Sequence, residues 1–371
     1  MRRPWAIYAI TTHGIEIAGR LAAALGDDAD LFVSEKLFAK APAGAKKLPL
    51  PMGPTLAETF TAYDCHVHVI SVGAVVRMVA PLLQNKKVDP AILCVDDAAK
   101  FAICVLSGHV GRGNAFTERV ARALDATPVI TTASDVRGTL TVDILGRDLG
   151  WTLEDMDRNV TRGCAAVVNG APVLFVQEAG EPDWWPLDAA LPPGVHYATT
   201  LEGVDPTKWE ILLIASDREL RETDGAAWHN AVVYRPRSLV LGLGCDKLTP
   251  PALVERGVRA LLVKHGLALA SVRAIATIDL KRDEPALLEL AARLEVPLLT
   301  YPAAELDAAP LVTPSAMVMK HVGTRGVAEP AALLGAGATA LVVPKQIYTE
   351  EGANRSMTLA VARVPHPRRS A

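Results

Sequence analysis

Short, almost purely apolar segments recur along the chain, and helix-forming segments with one apolar face stand between them. The segments AILCV at 91–95 and LVLGLG at 239–244 contain no polar position that could face water. In GIEIAGRLAAAL at 14–25, by contrast, Ile and Leu recur at helical spacing. Strands without a polar side belong to sheets that are covered on both faces, which are mostly parallel sheets packed between helices. The pattern therefore predicts an α/β fold.

The alternation is regular at both ends of the chain and weaker between them. After residue 137, the segments GTLTVDILGRDLGW and DMDRNVTRGCAAVVNG are predicted to be helical, and PVLFVQE and WEILLIAS to be strands. The strand–turn–helix order restarts near Pro236. We therefore expect a multidomain protein with three-layer α/β domains of mostly parallel sheets at 1–137 and 236–371, joined by a smaller α/β middle domain at 138–235.

Charge and cysteine content limit the classes of function. The 371 residues include 38 basic and 41 acidic side chains, and this balance gives no reason to expect a nucleic-acid partner. The five cysteines form no CxxC pair, which favours a reduced, cytoplasmic protein without a zinc knuckle. We see no membrane-spanning segment, and we interpret MRRPWAIYAI as a first buried strand rather than a signal peptide.

The stretch LSGHVGRGN at 106–114 is the first candidate site, because a glycine-rich turn stands there between a predicted strand and a predicted helix. Gly108, Gly111 and Gly113 would let the backbone approach a ligand or adopt positive φ, and the N–H groups of the first helical turn would favour an anion. Ser107 and His109 add a hydroxyl and an imidazole, and Asn114 is a candidate N-cap.

The alternative for this turn is that its glycines serve packing alone. Their spacing is G-x-x-G-x-G, so the dinucleotide fingerprint G-x-G-x-x-G is not matched, and no P-loop lysine follows. Ser107 does not stand in a G-x-S-x-G nucleophile elbow. A nucleotide-dependent enzyme is therefore disfavoured, while a functional turn and a structural turn both stay open.

A second strand–glycine–helix junction, ISVGAVVR, places Ser71, Gly73 and Arg77 where they could meet an anion. The alternative is that Arg77 packs its stem and solvates its head. Lys86 and Lys87 in QNKKVDP are interpreted as a solvated loop, although they leave room for a local basic patch.

Polar residues also close the strand TPVITTASD, where Thr131, Thr132 and Asp135 suit a polar substrate, although Asp135 could equally cap the next helix. His66 and His68 lie on one side of a strand at a spacing that can bind a metal, but no third ligand is evident, so no metal site is expected.

The last third of the chain holds a further set of candidates at predicted strand ends. Gly244 and Cys245 close LVLGLGC, and Lys281 and Glu284 stand just before a helix in IDLKRDEP. Basic side chains at several turns of one sheet could form a second anion-binding rim. Capping and solvation are the alternative for each of these residues.

Taken together, these motifs resemble the CbiG family, the cobalt-precorrin-5A hydrolases of anaerobic cobalamin biosynthesis. The resemblance rests on GAVVRMVAPLLQNKKVDPAILCVDD, LSGHVGRGNAFTERVARALDATPVITTASD, LGLGCDKLTPPAL, IATIDLKRDEPALLELAARLEVPL and VAEPAALLGAGATALVVPK. The final third also resembles the CobE proteins of the aerobic pathway.

The resemblance implies an enzyme that opens the δ-lactone of cobalt-precorrin-5A with water and releases acetaldehyde, giving cobalt-precorrin-5B. The cobalt belongs to the substrate, so no separate cofactor is implied. We expect His109 to activate the water, Ser107 and backbone N–H groups after Gly108 to stabilise the oxyanion, and Arg77, Arg112 and Lys281 to bind carboxylates of the macrocycle. A covalent Ser107 intermediate is a minor alternative.

The macrocycle is expected in a cleft lined by strand ends of the N-terminal domain. The remaining substrate-binding candidates are Ser71, Gly73, Gly108, Gly111, Asn114, Thr131, Thr132, Asp135, Gly244, Cys245 and Glu284. The alternative function is a non-catalytic corrinoid carrier like CobE. A homodimer, and hand-off to neighbouring corrin-pathway methyltransferases, are left open as partners, and no membrane or nucleic-acid partner is expected.

Overall fold

The computed structural model describes residues 2–133, 138–155, 158–220, 225, 229–310, 313–314, 319, 323–352 and 354–367. The chain divides into two compact units, residues 1–144 and 145–371. Both combine sheets and helices, so the predicted α/β class with mostly parallel sheets is confirmed. Within the described residues, no helix is long and apolar enough to span a membrane.

The first unit contains one seven-stranded sheet. Its strands are Arg3–Ala9 (β1), Ala29–Ser34 (β2), Lys46–Leu48 (β3), Tyr63–Val69 (β4), Ala91–Val95 (β5), Phe101–Leu106 (β6) and Thr127–Val129 (β7). Its α-helices are Thr12–Leu25 (α1), Gly53–Thr59 (α2), Val72–Val79 (α3) and Gly113–Leu124 (α4). The strand order is β3-β2-β1-β4-β5-β6-β7.

Strand direction changes once in this sheet. β1 to β5 run parallel to one another, whereas β6 pairs antiparallel with β5, and β7 runs parallel to β6. The carboxyl ends of β6 and β7 therefore lie at the edge of the sheet where β1, β4 and β5 begin. This reversal decides which loops can share a site.

Both faces of the first sheet are covered, which gives three layers. Ile15 and Leu21 of α1 and Val120 of α4 pack on one face, and Leu56 of α2 and Val75 of α3 on the other. The α4 helix is also fixed to β1, because the rings of Trp5 and Phe116 meet edge to face with their centroids 4.7 Å apart. The turn that precedes α4 is thus attached to two rigid elements.

The second unit contains two five-stranded sheets, ordered β10-β9-β11-β12-β8 and β15-β14-β13-β17-β16. The strands are Thr152–Glu154 (β8), Val173–Gln177 (β9), Val195–Ala198 (β10), Ile211–Ala215 (β11), Ala231–Arg235 (β12), Leu239–Cys245 (β13), Val272–Ile278 (β14), Leu298–Tyr301 (β15), Leu341–Thr349 (β16) and Ser356–Arg363 (β17). The α-helices are Val160–Val168 (α5), Pro251–Lys264 (α6), Pro285–Leu294 (α7), Ala303–Ala308 (α8) and Ala328–Ala336 (α9).

One predicted helix is wrong. GTLTVDILGRDLGW forms two short 3₁₀ turns, Val142–Ile144 and Arg147–Leu149, instead of an α-helix. Gly146 and Gly150 adopt φ of 71° and 79°, a left-handed conformation that interrupts an α-helix on either side of the second turn. The division into domains at 1–137, 138–235 and 236–371 stays a prediction.

Candidate active site

The turn between β6 and α4 is closed by hydrogen bonds within its own backbone. Three N–H groups at the start of α4 donate to carbonyls of the turn: Gly113 to Ser107 at 2.9 Å, Asn114 to Gly108 at 3.0 Å and Arg112 to His109 at 2.9 Å. The expectation that the first helical amides bind an anion is therefore wrong for these three, because each already has a partner. Stabilisation of an oxyanion has to come from other groups.

Steric limits explain the glycines of this turn. A Cβ placed on Gly111 would lie 2.5 Å from the Ser107 Cβ, and one on Gly108 would lie 2.7 Å from the Asn114 Oδ1. The positive φ values expected at the glycines occur instead at Ser107 (58°) and Arg112 (61°). The glycines are thus needed for close packing inside the turn, which was the alternative left open by the sequence.

Asn114 is not the N-cap that the sequence suggested. The residue before α4 is Arg112, and Asn114 lies in the first turn of the helix, where it is buried. Its Nδ2 donates to the Thr132 Oγ1 at 2.8 Å and so connects α4 to the chain that follows β7. Thr131 is exposed beside it, and Asp135 lies outside the described residues.

His109 faces a carboxylate that the sequence analysis did not single out. The His109 Nδ1 lies 3.3 Å from the Asp143 Oδ1, and both side chains are largely buried, at 15% and 13% exposed. Contacts of this length often tighten when substrate binds. The contact is an ion-pair distance rather than an aligned hydrogen bond, since the Asp143 Oδ1 accepts no hydrogen bond within the described residues. A proton on Nδ1 would leave the imidazole lone pair on Nε2, which is the arrangement of a general base oriented by a carboxylate.

Asp143 is not among the candidate residues named from the sequence, because its segment was predicted to be helical. The carboxyl end of β7 lies at the same edge of the sheet as that of β6, but Asp143 stands 14 residues after Val129, the last residue of β7. No local signal in the sequence therefore connects Asp143 with His109.

Ser71, Gly73 and Arg77 lie at the opposite edge of the sheet. Ser71 follows β4, whose last residue pairs with the last residue of β5, whereas Leu106 of β6 pairs near the start of β5. The five residues of β5 therefore separate the two sites by roughly 15 Å. The expectation of one hollow shared by these three residues and His109 is wrong, because β6 runs antiparallel to β5.

Arg77 is also engaged locally. Its Nη1 donates to the Gly73 carbonyl one helical turn back at 2.9 Å, and the side chain is exposed. This bond within α3 agrees with the solvated alternative. A role of Arg77 in binding carboxylates stays a prediction, at a site separate from His109.

The candidates in the second unit come together at the ends of β13 and β14. The Lys281 Nζ lies 2.7 Å from the Glu284 Oε2, and the other Glu284 oxygen accepts from the Leu248 N–H at 3.1 Å. The Gly244 carbonyl accepts from the Thr358 Oγ1 at 3.3 Å. The Lys281 ammonium therefore has a buried acidic partner, so it is not the unpaired cation that an anion-binding rim would require.

Cys245, in the same cluster, is a poor nucleophile. Burial raises the pKa of its thiol to about 11, although Lys281 nearby acts in the other direction. A thiol of that pKa is protonated near neutral pH, and the thiolate is the reactive form. The structure thus supports no covalent role for Cys245.

His66 and His68 are core residues. The Tyr8 hydroxyl lies 3.1 Å from the His66 Nδ1, and the His66 Nε2 lies 3.0 Å from the Phe60 carbonyl. His68 is fully buried, and neither of its ring nitrogens has a hydrogen-bond partner in the part of the chain that the structure describes. Across those same residues, no group of three or more His, Cys, Asp or Glu is arranged to hold a metal ion.

Three models of known protein families together match most of the chain. Residues 54–135 match the model described as Cobalamin synthesis G N-terminal, residues 140–236 match Cobalamin biosynthesis central region, and residues 239–362 match Cobalamin synthesis G C-terminus. The order of the three matches follows the order of the motifs that suggested the family.

Individual relatives agree with these matches. The chain is 37% identical to the cobalt-precorrin-5A hydrolase of Priestia megaterium over 98% of this chain and 96% of that protein. It is 31% identical to the cobalt-precorrin-5A hydrolase of Salmonella typhimurium over 89% and 91%. Protein CobE of a Sinorhizobium species is 40% identical over 30% of this chain and 73% of that protein. The chain therefore belongs to the CbiG family of cobalamin-synthesis proteins.

Proposed function

We propose that this chain is a cobalt-precorrin-5A hydrolase, which opens the δ-lactone of its substrate with water and releases acetaldehyde to give cobalt-precorrin-5B. The observation that carries the proposal is the contact between His109, on the turn after β6, and Asp143, in the 3₁₀ turn Val142–Ile144. The chain also matches curated cobalt-precorrin-5A hydrolases over almost its whole length. An imidazole held by a carboxylate is a suitable base for ester hydrolysis.

In the proposed mechanism, His109 Nε2 accepts a proton from water as the water oxygen attacks the lactone carbonyl. The new C–O bond forms as the carbonyl becomes an oxyanion. When the oxyanion collapses, the bond to the ring oxygen breaks, and the imidazolium returns the proton to that oxygen. The alcohol formed in this way then loses its O–H proton as its C–O bond becomes the C=O of acetaldehyde. The carbon–carbon bond to the macrocycle breaks in the same step, and the macrocycle takes up the electron pair and a proton. Asp143 stabilises the positive imidazolium between the two transfers.

Ser107 is proposed to stabilise the oxyanion through its hydroxyl. Its backbone is held in the left-handed region at φ 58°, a conformation that non-glycine residues adopt rarely and that is often found at functional positions. The same turn presents His109 two residues later. Direct attack by Ser107 stays the minor alternative.

The cobalt enters this proposal only as part of the substrate. Activation of water by His109 and protonation of the leaving oxygen by the same imidazole account for the lactone opening, and we propose no additional cofactor. We also propose a cytoplasmic location, supported by the absence of any disulfide among the five cysteines, all of which lie in described residues. A homodimer and hand-off to methyltransferases stay predictions.

A non-catalytic carrier is not favoured. The CobE match covers only 30% of this chain, whereas the hydrolase matches include the segment that contains His109 and Asp143. A carrier requires no base held by a carboxylate. The two functions differ in one product, because only the hydrolase releases acetaldehyde.

The test is an anaerobic turnover assay with purified cobalt-precorrin-5A, in which acetaldehyde is detected. We expect the natural chain to release it and the His109→Ala variant to lose at least a hundredfold in kcat. The exposed His13 provides the matched control, and His13→Ala should keep full activity. Substrate binding without acetaldehyde release would identify a carrier, and full activity of His109→Ala would remove the proposed base.

A further inference from the structure

The proposed mechanism provides one donor to the oxyanion, the Ser107 hydroxyl. The N–H groups of Arg112, Gly113 and Asn114 cannot add to it, because each of them already donates to a carbonyl of the same turn. Oxyanions formed in acyl transfer are commonly stabilised by more than one donor. A second donor therefore has to come from a segment that lies beside the turn.

The Asn114 side chain connects the turn to the segment that follows β7. Its amide packs against Gly108, where a Cβ would lie 2.7 Å from the Asn114 Oδ1 and 3.3 Å from Nδ2. The same Nδ2 donates to the Thr132 Oγ1 at 2.8 Å. The Thr132 Oγ1 therefore lies no more than about 6 Å from the position of that Cβ. Since Ser107 and His109 stand on either side of Gly108, the Thr132 hydroxyl lies close to both.

The bond from Asn114 decides what the Thr132 hydroxyl can do. A hydroxyl has one O–H donor and two acceptor lone pairs, whereas the amide nitrogen of Asn is a donor only. Nδ2 therefore occupies a lone pair of Oγ1 and leaves the O–H proton for another acceptor. Within the part of the chain that the structure describes, this proton has no acceptor. Thr132 is half-buried, so the hydroxyl is accessible to a ligand above the turn.

The amide that orients Thr132 is itself fixed. Asn114 is 7% exposed, and its backbone N–H donates to the Gly108 carbonyl at 3.0 Å. It belongs to the first turn of α4, which packs on the sheet through Val120. A donor held in this way needs no reorganisation when charge develops on the substrate, which is the property that makes an oxyanion donor effective.

We infer that Thr132 is a second oxyanion donor in lactone opening and that Asn114 is the positioning residue that orients its hydroxyl. As water attacks the lactone carbonyl, the Thr132 O–H donates a hydrogen bond to the carbonyl oxygen, which gains negative charge, and the proton stays on Thr132. The inference rests on the proposed function. It gives a defined role to Thr132, which the sequence only indicated to suit a polar substrate.

The first test removes the hydroxyl and keeps the shape of the side chain. We expect Thr132→Val to lower kcat about a hundredfold while KM changes less than twofold, because the lost bond forms mainly in the transition state. Thr132→Ser retains the hydroxyl and should retain most of the activity. Thr127→Val is the matched control, since Thr127 is exposed at the opposite end of the same strand β7, and its kcat should equal that of the natural chain.

The second test reverses the direction of the hydrogen bond. Asn114→Asp keeps the shape of the amide, but a carboxylate only accepts, so it would take the O–H proton of Thr132. We expect Asn114→Asp to lower kcat about as much as Thr132→Val, and the double variant to lose no more than either single one. Each kcat is measured at the plateau of its pH profile, because the added charge shifts nearby pKa values. Asn169→Asp, at the exposed end of α5, is the control.

A Thr132→Val variant with the kcat of the natural chain, or an equal loss in Thr127→Val, would overturn the role of Thr132. A loss in Asn114→Asp that adds to the loss in Thr132→Val would overturn the positioning role of Asn114. Failure of the proposed function looks different, because the natural chain itself then releases no acetaldehyde. Thermal unfolding of each variant is measured, and Thr132→Ala replaces Thr132→Val if the valine variant unfolds below the assay temperature.

Discussion

Tyr8 and His68 lie face to face in the core of the first unit, with ring centroids 4.9 Å apart and planes within 12° of parallel. His66 lies beside this pair, with its ring centroid 5.8 Å from that of Tyr8 and 6.4 Å from that of His68. Burial lowers the pKa of His68 to about 3 and that of His66 to about 4, with a hydrogen bond to the Phe60 carbonyl partly opposing the shift of His66. Both imidazoles are therefore neutral in the folded protein near neutral pH.

This stack predicts loss of stability in mild acid. The unfolded chain takes up a proton on each imidazole near pH 6.5, whereas the folded chain does so only near pH 3 to 4. Since the unfolded state binds more protons in that window, stability is fully present above pH 6.5 and falls as the pH drops toward 4, by on the order of 3 kcal/mol per imidazole.

The measurement is hydrogen exchange of β1 and β4 between pH 7 and 4, corrected for the intrinsic pH dependence of exchange. His68→Phe keeps an aromatic ring without a titrating group, so its protection should depend less on pH. His13→Gln, at an exposed position, should behave like the natural chain. Equal pH dependence of His68→Phe and the natural chain would contradict the assignment.

A second relationship joins the two sheets of the second unit. The buried Asp217 carboxylate, just after β11, accepts two hydrogen bonds from the Arg363 guanidinium at 2.6 and 2.7 Å and one from the Ser238 hydroxyl at 2.7 Å. These bonds to a carboxylate raise the pKa of Arg363. We expect Asp217→Asn to lower the free energy of unfolding by about 3 kcal/mol, because a buried charged network loses one partner.

Urea denaturation of the natural chain and the variant checks this value. Glu350→Gln is the control, since the Glu350–Arg256 pair is also bidentate but lies at the surface, where such pairs contribute little. An Asp217→Asn variant as stable as Glu350→Gln would show that the network does not hold the sheets together.

The fold class could be predicted from the sequence because the spacing of apolar residues indicates which positions of each helix and strand are buried. The antiparallel pairing of β5 and β6 was also predictable, since AILCVDD and KFAICVLS are joined by a short turn. The consequence of this pairing for the site could not be predicted, because a local sequence pattern does not indicate at which edge of the sheet a distant loop lies. Ser71 and Arg77 were therefore grouped with His109 although a whole strand separates them.

The chemistry of single residues was partly predictable. His109 stood out because it follows a strand and a glycine turn, whereas Asp143 lies 34 residues later in a segment with helical periodicity. That segment forms 3₁₀ turns set by glycines with positive φ, and only the folded chain brings its carboxylate to the imidazole. The pairing of Lys281 with Glu284 likewise depends on a 3₁₀ turn before α7 that the spacing alone does not specify.

Two substitutions of Ser107 separate the cost of its backbone conformation from the role of its hydroxyl in catalysis. Its φ of 58° costs about 1 kcal/mol for a residue with a Cβ and nothing for glycine. Ser107→Ala keeps the strain and loses the hydroxyl, whereas Ser107→Gly loses both. We expect the two variants to lose activity equally, with Ser107→Gly the more stable by about 1 kcal/mol in urea denaturation. Unchanged kcat in both would remove the oxyanion role of the hydroxyl.

Gly111 tests the packing of the turn. The Gly111→Ala variant would place its Cβ 2.5 Å from the Ser107 Cβ and 2.9 Å from the Ser107 carbonyl oxygen, so the turn has to open. We expect a lower unfolding temperature and loss of activity. Gly53→Ala is the matched control, because nothing lies within 4 Å of a Cβ at that position. Similar activity in the two variants would mean that the shape of the turn is unimportant for catalysis.

Asp143→Asn tests how the imidazole is held. An amide keeps the shape of the carboxylate but removes the charge that stabilises imidazolium, so kcat should fall about a hundredfold. The apparent pKa on the acid side of the kcat/KM profile should move to lower pH, because the charged imidazole loses its counterion. A residue that only supports the fold would lower activity without moving this pKa.

The control for that experiment is Asp97→Asn, which changes an exposed carboxylate 3.7 Å from His13 at the opposite edge of the sheet. Its pH profile should match that of the natural chain. If the acid side of the Asp143→Asn pH profile matched that of the natural chain, the 3.3 Å contact with His109 would have no role in turnover. A shifted limb with normal thermal stability would establish Asp143 as the positioning residue of the base.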